Sequence, residues 1–168
     1  LCKLVGDTGR VFAFEPMVTT AGCISQTRVL NRFLQLTVVP VALGNCGDLT
    51  VRSLAGVRGM LDSTLDDSSF QAPFLMAGFD WLWPRIVQGG GDRIDGVKID
   101  VQGMEIEVLK GMSNTLKRHK PKLAIELHRG ISRQEFLGVL SEIGYSRSGD
   151  PIDPLPGETD PQYVDDRS

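Results

Sequence analysis

The sequence predicts an α/β fold built around a parallel sheet. Two observations lead to this prediction: four short apolar segments lack the strict alternation of half-exposed strands, and stretches of helical periodicity separate them. Strands that alternate with helices in this way are typical of parallel sheets with right-handed crossover connections.

The four candidate strands are all rich in apolar residues. They are Val11–Glu15, Leu36–Leu43, Val97–Val101 and Leu123–Leu127. Pro40 cannot donate a hydrogen bond to a neighbouring strand, so we expect the strand that contains it at an edge of the sheet.

Three segments between or after these strands predict helices. Met17–Phe33 is long enough to cross over the sheet, and Met104–Leu116 carries apolar residues at helical spacing. Arg133–Ile143 has the same periodicity and is expected to end at Gly144, because glycine is the usual residue after a helix terminus.

The region between the second and third strands has a weaker pattern. Leu49–Leu65 is expected to form a hairpin, with short strands at Leu49–Leu54 and Met60–Leu65. Asp66–Arg93 contains both tryptophans and predicts a partly helical excursion. Trp81 and Trp83 could line a binding pocket, although burying apolar surface is their more common role.

The two ends of the chain differ from the middle. The chain begins at Leu1, and its first ten residues have the pattern of a helix end, a glycine turn and a strand, which is typical of the interior of a domain. The sequence therefore predicts a chain truncated at its N-terminus. Residues 1–146 would form one partial domain, and 147–168 an irregular, acidic, proline-rich tail.

Composition excludes several classes of protein. With 41% hydrophobic and 23% charged residues the chain has ordinary globular composition, and its formal net charge of −3 does not suit binding to nucleic acid. The longest apolar stretch, Leu36–Leu43, is far shorter than the ~20 residues of a membrane span.

Cysteine and histidine usage predicts neither a disulfide framework nor a metal site. The three cysteines have no CxxC spacing, and the only histidines are His119 and His128. A cytoplasmic protein with reduced thiols is the simplest prediction.

Three acids stand at or near the ends of candidate strands: Glu15, Asp100 and Glu126. In an open parallel sheet, ligands bind outside the carboxyl ends of the strands, so these acids are candidate ligand contacts. Glu15 could accept hydrogen bonds from both hydroxyls of a ribose, and it could equally cap the helix that follows Pro16. The two roles are compatible.

Five segments together resemble the FkbM family of methyltransferases, in the same order and at matching spacing over roughly residues 4–145. They are GRVFAFEP (9–16), VVPVALGN (38–45), LDSTLDD (61–67), DGVKIDVQGMEIEVLKGM (95–112) and KLAIELH (122–128). The most specific part is KIDVQGMEIEVLKG. The resemblance implies a Rossmann-like, class I methyltransferase with a three-layer α/β/α sandwich, with S-adenosylmethionine as its cofactor.

The resemblance also implies cofactor contacts. Glu15, followed by Pro16, matches the ribose-binding acid, and Ala42 and Leu43 match positions that line the adenine pocket. Asp100 matches an acid close to where the methyl donor meets its acceptor. Gln102 stands where the family usually has glutamate, which places activity in doubt if that glutamate acts by its charge.

The implied reaction transfers a methyl group to a hydroxyl of a small acceptor such as a sugar or a polyketide. Asp100 or His128 could accept the hydroxyl proton. Structural roles are also open, since Asp100 could pair with Lys98 and His128 could be a hydrogen-bonded loop residue. Glu105 and Glu107 lie in a first helical turn, where acids are favourable regardless of function.

Two other functions remain open: a non-catalytic remnant of the same fold, and an NAD-dependent oxidoreductase. The resemblance further implies that the first strand and its glycine-rich loop lie upstream of Leu1. Without that central strand, we expect either a poorly stable chain or direct pairing of Val11–Glu15 with Val97–Val101.

Overall fold

The computed structural model describes residues 1–53, 73–87, 93–128 and 130–146, and these residues form an α/β fold, as predicted. The expected strand at Met60–Leu65, the segment LDSTLDD (61–67) and the tail 147–168 lie outside the described residues.

The described residues contain six helices and seven strands. The helices are α1 (Cys2–Val5), α2 (Val18–Leu30), α3 (Phe79–Ile86), α4 (Glu105–Gly111), α5 (Ser113–His119) and α6 (Arg133–Ile143). The strands are β1 (Val11–Phe14), β2 (Leu36–Val39), β3 (Ala42–Leu43), β4 (Thr50–Ser53), β5 (Pro73–Ala77), β6 (Gly96–Ile99) and β7 (Lys122–Ile125).

The first parallel pair joins β1 to β2 through the crossover helix α2. Val11 lies opposite Leu36 and Phe14 opposite Val39, and both strands consist mainly of β-branched and aromatic residues. This confirms the predicted β–α–β unit. Helix α2 itself contributes little to the core, since Ala21 is its one buried residue.

The predicted strand Leu36–Leu43 is in fact two strands. Pro40 separates β2 from β3, and β3 pairs in parallel with β5 instead of continuing along β1. The prediction of a single strand is therefore wrong, because a residue without an N–H ends the ladder and the chain turns to a different partner.

Strand β5 lies between β3 and β4 in a three-stranded sheet. Its pairing with β4 is antiparallel, with Thr50 opposite Met76 and Ser53 opposite Pro73. Strand β4 confirms the first predicted hairpin strand. Strand β5 lies in the segment for which only a partly helical excursion was predicted, and α3 confirms the helical part.

The second parallel pair joins β6 to β7, with Val97 opposite Leu123 and Ile99 opposite Ile125. Within the described ranges no ladder connects β1 to β6, so the expected direct pairing of Val11–Glu15 with Val97–Val101 is wrong. Phe14 of β1 packs instead edge-on against Phe79 of α3 at a ring-centroid distance of 5.7 Å, and Phe79 belongs to the same core cluster as Ile99 of β6.

The main hydrophobic core lies among β6 and helices α3 to α6. Leu109, Met112 and Leu116 are almost completely buried there, as their helical spacing predicted. The predicted single helix Met104–Leu116 is nevertheless two helices that meet at Met112. The break has its cause in another helix: the Asp80 carboxylate of α3 accepts the backbone N–H groups of Asn114 and Thr115 at 2.8 and 2.9 Å, and so gives α5 its own N-terminal cap.

Helix α6 has the predicted limits and is fixed at both ends. The Ser132 hydroxyl accepts the backbone N–H of Glu135 at its start, and Gly144 ends it with φ of 90°. Lys120, itself left-handed with φ of 48°, donates its ammonium to the carbonyls of Ile143 and Gly144. No helix in the described part of the chain is long and apolar enough to cross a membrane.

Candidate active site

The carboxyl ends of β6 and β7 bring together three of the chemically interesting side chains. Asp100 follows β6 directly, Glu126 follows β7, and the Glu126 N–H donates to the carbonyl of Ile99 at 3.0 Å. This pairing sets the two acids beside each other. The Nε2 atom of His128 lies 3.7 Å from Asp100 Oδ1 and 3.7 Å from Glu126 Oε1.

His128 is buried and held by a second carboxylate. Its Nδ1 lies 2.6 Å from Oε1 of Glu105, the first residue of α4, whose side chain is completely buried. The same oxygen accepts the N–H of Gly103 at 3.1 Å. Because an ionised carboxylate only accepts hydrogen bonds, Nδ1–H is the donor, and Nε2 of a neutral imidazole then carries the free lone pair.

Two buried polar atoms of this pair have no hydrogen-bond partner among the described residues: His128 Nε2 and Glu105 Oε2. Buried polar atoms are normally satisfied, so an unsatisfied one requires an explanation. Nε2 faces two carboxylates, which makes it available to a proton or a ligand that enters between them.

Asp100 divides its two oxygens between two partners. Oδ2 accepts the Lys98 ammonium at 2.6 Å, whereas Oδ1 is the atom that faces His128. Lys98 and Asp100 lie two residues apart on one face of the chain, which confirms the ion pair considered from the sequence. The pair does not exclude a ligand contact, because the Asp100 side chain is 35% exposed.

The loop between β6 and α4 is left-handed at two consecutive residues. Gln102 has φ of 53° and Gly103 has φ of 99°. This turn reverses the chain so that Glu105 enters the interior toward His128. The role of Gln102 in cofactor binding stays a prediction.

Glu15 bonds to the residue at the N-cap of α2. Its Oε1 accepts the backbone N–H of Met17 at 2.8 Å, which agrees with the considered role at the start of this helix, and Pro16 lies half-buried between them. In the described part of the chain no hydrogen bond or ion pair joins Glu15 to the Asp100–Glu126–His128 cluster. Its contact with a ribose stays a prediction.

Ala42 and Leu43 form the short strand β3. Leu43 packs against the main core, and Ala42 packs against the buried pair Phe74 and Met76. Their place in an adenine pocket stays a prediction.

The tryptophans pack rather than line an open cavity. Trp83 stacks on Phe79 at a centroid distance of 5.0 Å and meets the edge of Phe12 at 4.8 Å. Trp81 lies beneath the guanidinium of Arg85, 4.0 Å from the ring centroid. Both observations agree with the structural role that the sequence analysis considered more common.

Sequence reasoning named three members of this group but missed Glu105 as their partner. Its position in a first helical turn offered a sufficient local explanation, so its burial was not expected. A signal was present, however: an acid five residues after the strand-end Asp100 is close enough, across a glycine turn, to face a histidine that follows the adjacent strand.

Comparison with known proteins points to one family. The methyltransferase FkbM domain matches residues 85–150, the part of the chain that includes the whole cluster. The hexuronic acid methyltransferase AglP of Haloferax volcanii is 44% identical over 46 residues, which cover 27% of this chain and 19% of that relative.

A solved structure is also similar: the methyltransferase FkbM of Methylobacillus flagellatus KT, with a TM-score of 0.44 and 21% identity over 70% of this chain and 25% of that one. The chain therefore spans only a minor part of the length of these relatives. The matched domain and AglP both carry the name of a methyltransferase, and residues 85–150 of this chain are similar to the methyltransferase FkbM domain.

Proposed function

We propose that the protein transfers a methyl group from S-adenosylmethionine to a hydroxyl of a small acceptor, within a Rossmann-like three-layer sandwich. One observation carries the proposal: a buried imidazole, fixed by Glu105, presents an unpartnered Nε2 between Asp100 and Glu126 at the carboxyl ends of two parallel strands. Ligand sites of open α/β sheets lie at this edge.

The side chains present suit the cofactor. S-adenosylmethionine supplies an electrophilic methyl group on a cationic sulfonium, and its ribose offers two hydroxyl donors. Carboxylates complement both features, so Glu15 would hold the ribose and Asp100 would lie near the sulfonium. Pro16, Ala42, Leu43 and Gln102 complete the proposed contacts.

The residues of the chain would orient the acceptor and remove its proton. The acceptor hydroxyl would donate to His128 Nε2, while the hydrogen bond to Glu105 keeps the ring in the tautomer that can accept. Proton transfer of this kind contributes roughly 10²–10⁴-fold, and correct orientation of the reacting groups supplies most of the remaining acceleration.

A sugar is the acceptor class that the relatives support best. AglP is named for methylation of a hexuronic acid, and its matched segment is 44% identical to this chain. We therefore propose a sugar hydroxyl, ahead of a polyketide or another small metabolite.

Isothermal titration tests the cofactor. The chain, and a version with any residues that precede Leu1 restored, would be titrated in parallel with S-adenosylmethionine and with NAD. We expect heat with S-adenosylmethionine alone. Binding heat with NAD alone would identify an oxidoreductase, and the absence of binding heat with both ligands would indicate a non-catalytic remnant.

A pair of histidine variants tests the site. With a hexuronic acid as acceptor, His128→Asn is expected to lower formation of S-adenosylhomocysteine by about 10²-fold or more, because the proton acceptor is lost. His119→Asn is the matched control and should leave the rate unchanged, since His119 lies at the end of α5, outside the cluster. Equal rates in the two variants would contradict the assignment.

A further inference from the structure

We propose that Asp100, Glu126 and His128 form a binding site for one divalent cation. One donor atom from each residue lies within 4.8 Å of the other two, and Nε2 is 3.7 Å from each carboxylate oxygen that faces it. Metal–ligand bonds of about 2.0–2.2 Å place the donor atoms of one coordination shell roughly 3–4 Å apart. The three donors therefore need only a small contraction to enclose a cation.

The state of His128 is a second, independent indication. Its side chain is 7% exposed, and Nε2 has no hydrogen-bond partner among the described residues although it faces two acids. In the neutral tautomer that donates Nδ1–H to Glu105, Nε2 presents its lone pair between two carboxylates, and this is the form in which histidine binds metals.

Glu105 supplies the support that such a histidine requires. Metal-binding histidines usually donate their other ring N–H to a carboxylate, which fixes the ring and the tautomer. The 2.6 Å contact from His128 Nδ1 to Glu105 Oε1 has this form, and Glu105 is itself held by the N–H of Gly103.

The charge of the cluster also favours a cation. Three carboxylates, those of Asp100, Glu105 and Glu126, surround a neutral imidazole, and Lys98 is the one ammonium bonded to them in the described part of the chain. With the imidazole neutral and the three carboxylates ionised, two negative charges have no counter-charge in the cluster, and a divalent cation would neutralise them. Two carboxylate oxygens and one imidazole nitrogen form a donor set that suits Mn²⁺ and neighbouring divalent ions.

The ligands could not be recognised as a set from the sequence, because they lie on separate segments and come together only when β6 pairs with β7.

At the site, the cation would lower the pKa of a bound hydroxyl, as metals do for bound water. Nε2 has one lone pair, so His128 can bind a cation or accept a proton but cannot do both at once. Cation binding does not depend on methyl transfer and can be measured without cofactor or acceptor.

Binding of Mn²⁺ to the metal-stripped chain, followed by electron paramagnetic resonance and by calorimetry, tests the inference. We expect one tightly bound Mn²⁺ per chain. Glu126→Gln and Asp100→Asn should each weaken binding by roughly tenfold or more, and Glu105→Gln by a comparable factor through the orientation of His128.

Two variants outside the cluster serve as matched controls. His119→Asn and Glu107→Gln change the same residue types outside the cluster and should leave Mn²⁺ affinity unchanged. Glu126 is the safest ligand to test, because its side chain is 29% exposed and its replacement leaves the buried His128–Glu105 pair intact. Circular dichroism would verify that each variant keeps its fold.

The outcomes separate the two proposals. Absence of Mn²⁺ binding, or binding that Glu126→Gln leaves unchanged, overturns the cation site whatever the activity shows. Specific Mn²⁺ binding without any response to S-adenosylmethionine supports the cation site and argues against the proposed methyl transfer. If methyl transfer proceeds fully after chelation and no Mn²⁺ is bound, the proposed methyl transfer is supported and the cation site is overturned.

Discussion

Glu105 and His128 lie 23 residues apart in the chain, yet their side chains meet at 2.6 Å in the interior of the protein. The first belongs to the start of α4 and the second follows β7, so their contact depends on the packing of that helix over the β6–β7 pair. Each has one polar atom that no described residue satisfies. The pair therefore links the stability of the fold to the chemistry of the site.

Removal of the Glu105 carboxylate should destabilise the protein. Glu105→Ala leaves the Nδ1–H of His128 buried without an acceptor, and we expect a loss of about 3 kcal/mol in the free energy of unfolding. Urea denaturation would measure it. Glu107→Ala, on the same helix but partly exposed, should change stability by less than about 1 kcal/mol. A similar loss in both variants would show that the buried Glu105–His128 pair contributes no more to the free energy of unfolding than a partly exposed acid does.

The Asp80 cap on α5 should contribute measurably to the free energy of unfolding. Asp80→Ala removes the acceptor of two backbone N–H groups at the start of that helix, with an expected cost of about 1–2 kcal/mol. Asp95→Ala is the control, because Asp95 is 69% exposed and pairs only with the exposed Arg93 in the described part of the chain. Thermal unfolding that is unchanged in Asp80→Ala would contradict the capping role.

Two helical glycines should respond to alanine in opposite ways. At Gly111 the Cβ atom would clash with the carbonyl oxygen of Gly44, so the backbones must separate and we expect destabilisation of about 1–3 kcal/mol or more. At Gly138, within α6, no atom beyond the helix's own nearby backbone lies within 4 Å of the new methyl group, and alanine should stabilise the helix by about 0.5–1 kcal/mol. Chemical denaturation of the two variants checks the contrast, and a change of the same sign in both would refute it.

Stability should fall at alkaline pH through Tyr145. Burial raises the pKa of its phenol above the ordinary value of 10.0, and the protonated hydroxyl donates to the carbonyl of Pro121 at 2.8 Å. A raised pKa in the folded state means that this contribution is complete below pH 10.0 and is lost as the pH rises through the folded-state pKa.

Tyr145→Phe tests this dependence. The variant should lose about 1 kcal/mol at neutral pH, because the hydrogen bond is absent, and its unfolding free energy should then decline less steeply above pH 10. Urea titrations between neutral and alkaline pH would measure both effects. Parallel curves for the variant and the parent would show that another group causes the decline.

Local sequence patterns predicted most of the regular structure. Apolar runs located β1, β6 and β7, and the periodicity of Arg133–Ile143 together with Gly144 gave α6 its limits. These predictions were correct because a strand buried on both faces gives a continuous apolar run in the sequence, and a helix buried on one face gives apolar residues at helical spacing.

The errors have long-range causes. The helix predicted at Met104–Leu116 breaks because a carboxylate from α3, 34 residues away from Asn114, takes over its backbone donors. Glu105 could be recognised as a first-turn acid but not as a buried partner of His128, since that pairing depends on how α4 packs. In the candidate site, the strand-end positions of Asp100 and Glu126 were predictable, and the convergence of their oxygens on one nitrogen was not.

Helix α2 is connected to the core through the small side chain of Ala21, while Val29, Leu30 and nearby Leu34 are 70%, 82% and 83% exposed. The packing of the described residues therefore places few constraints on most of its surface. Residues there can be replaced or chemically labelled with little effect on the β6–β7 edge. The helix is thus a suitable place to attach a fluorescent label that leaves the chemistry of the cluster unaltered.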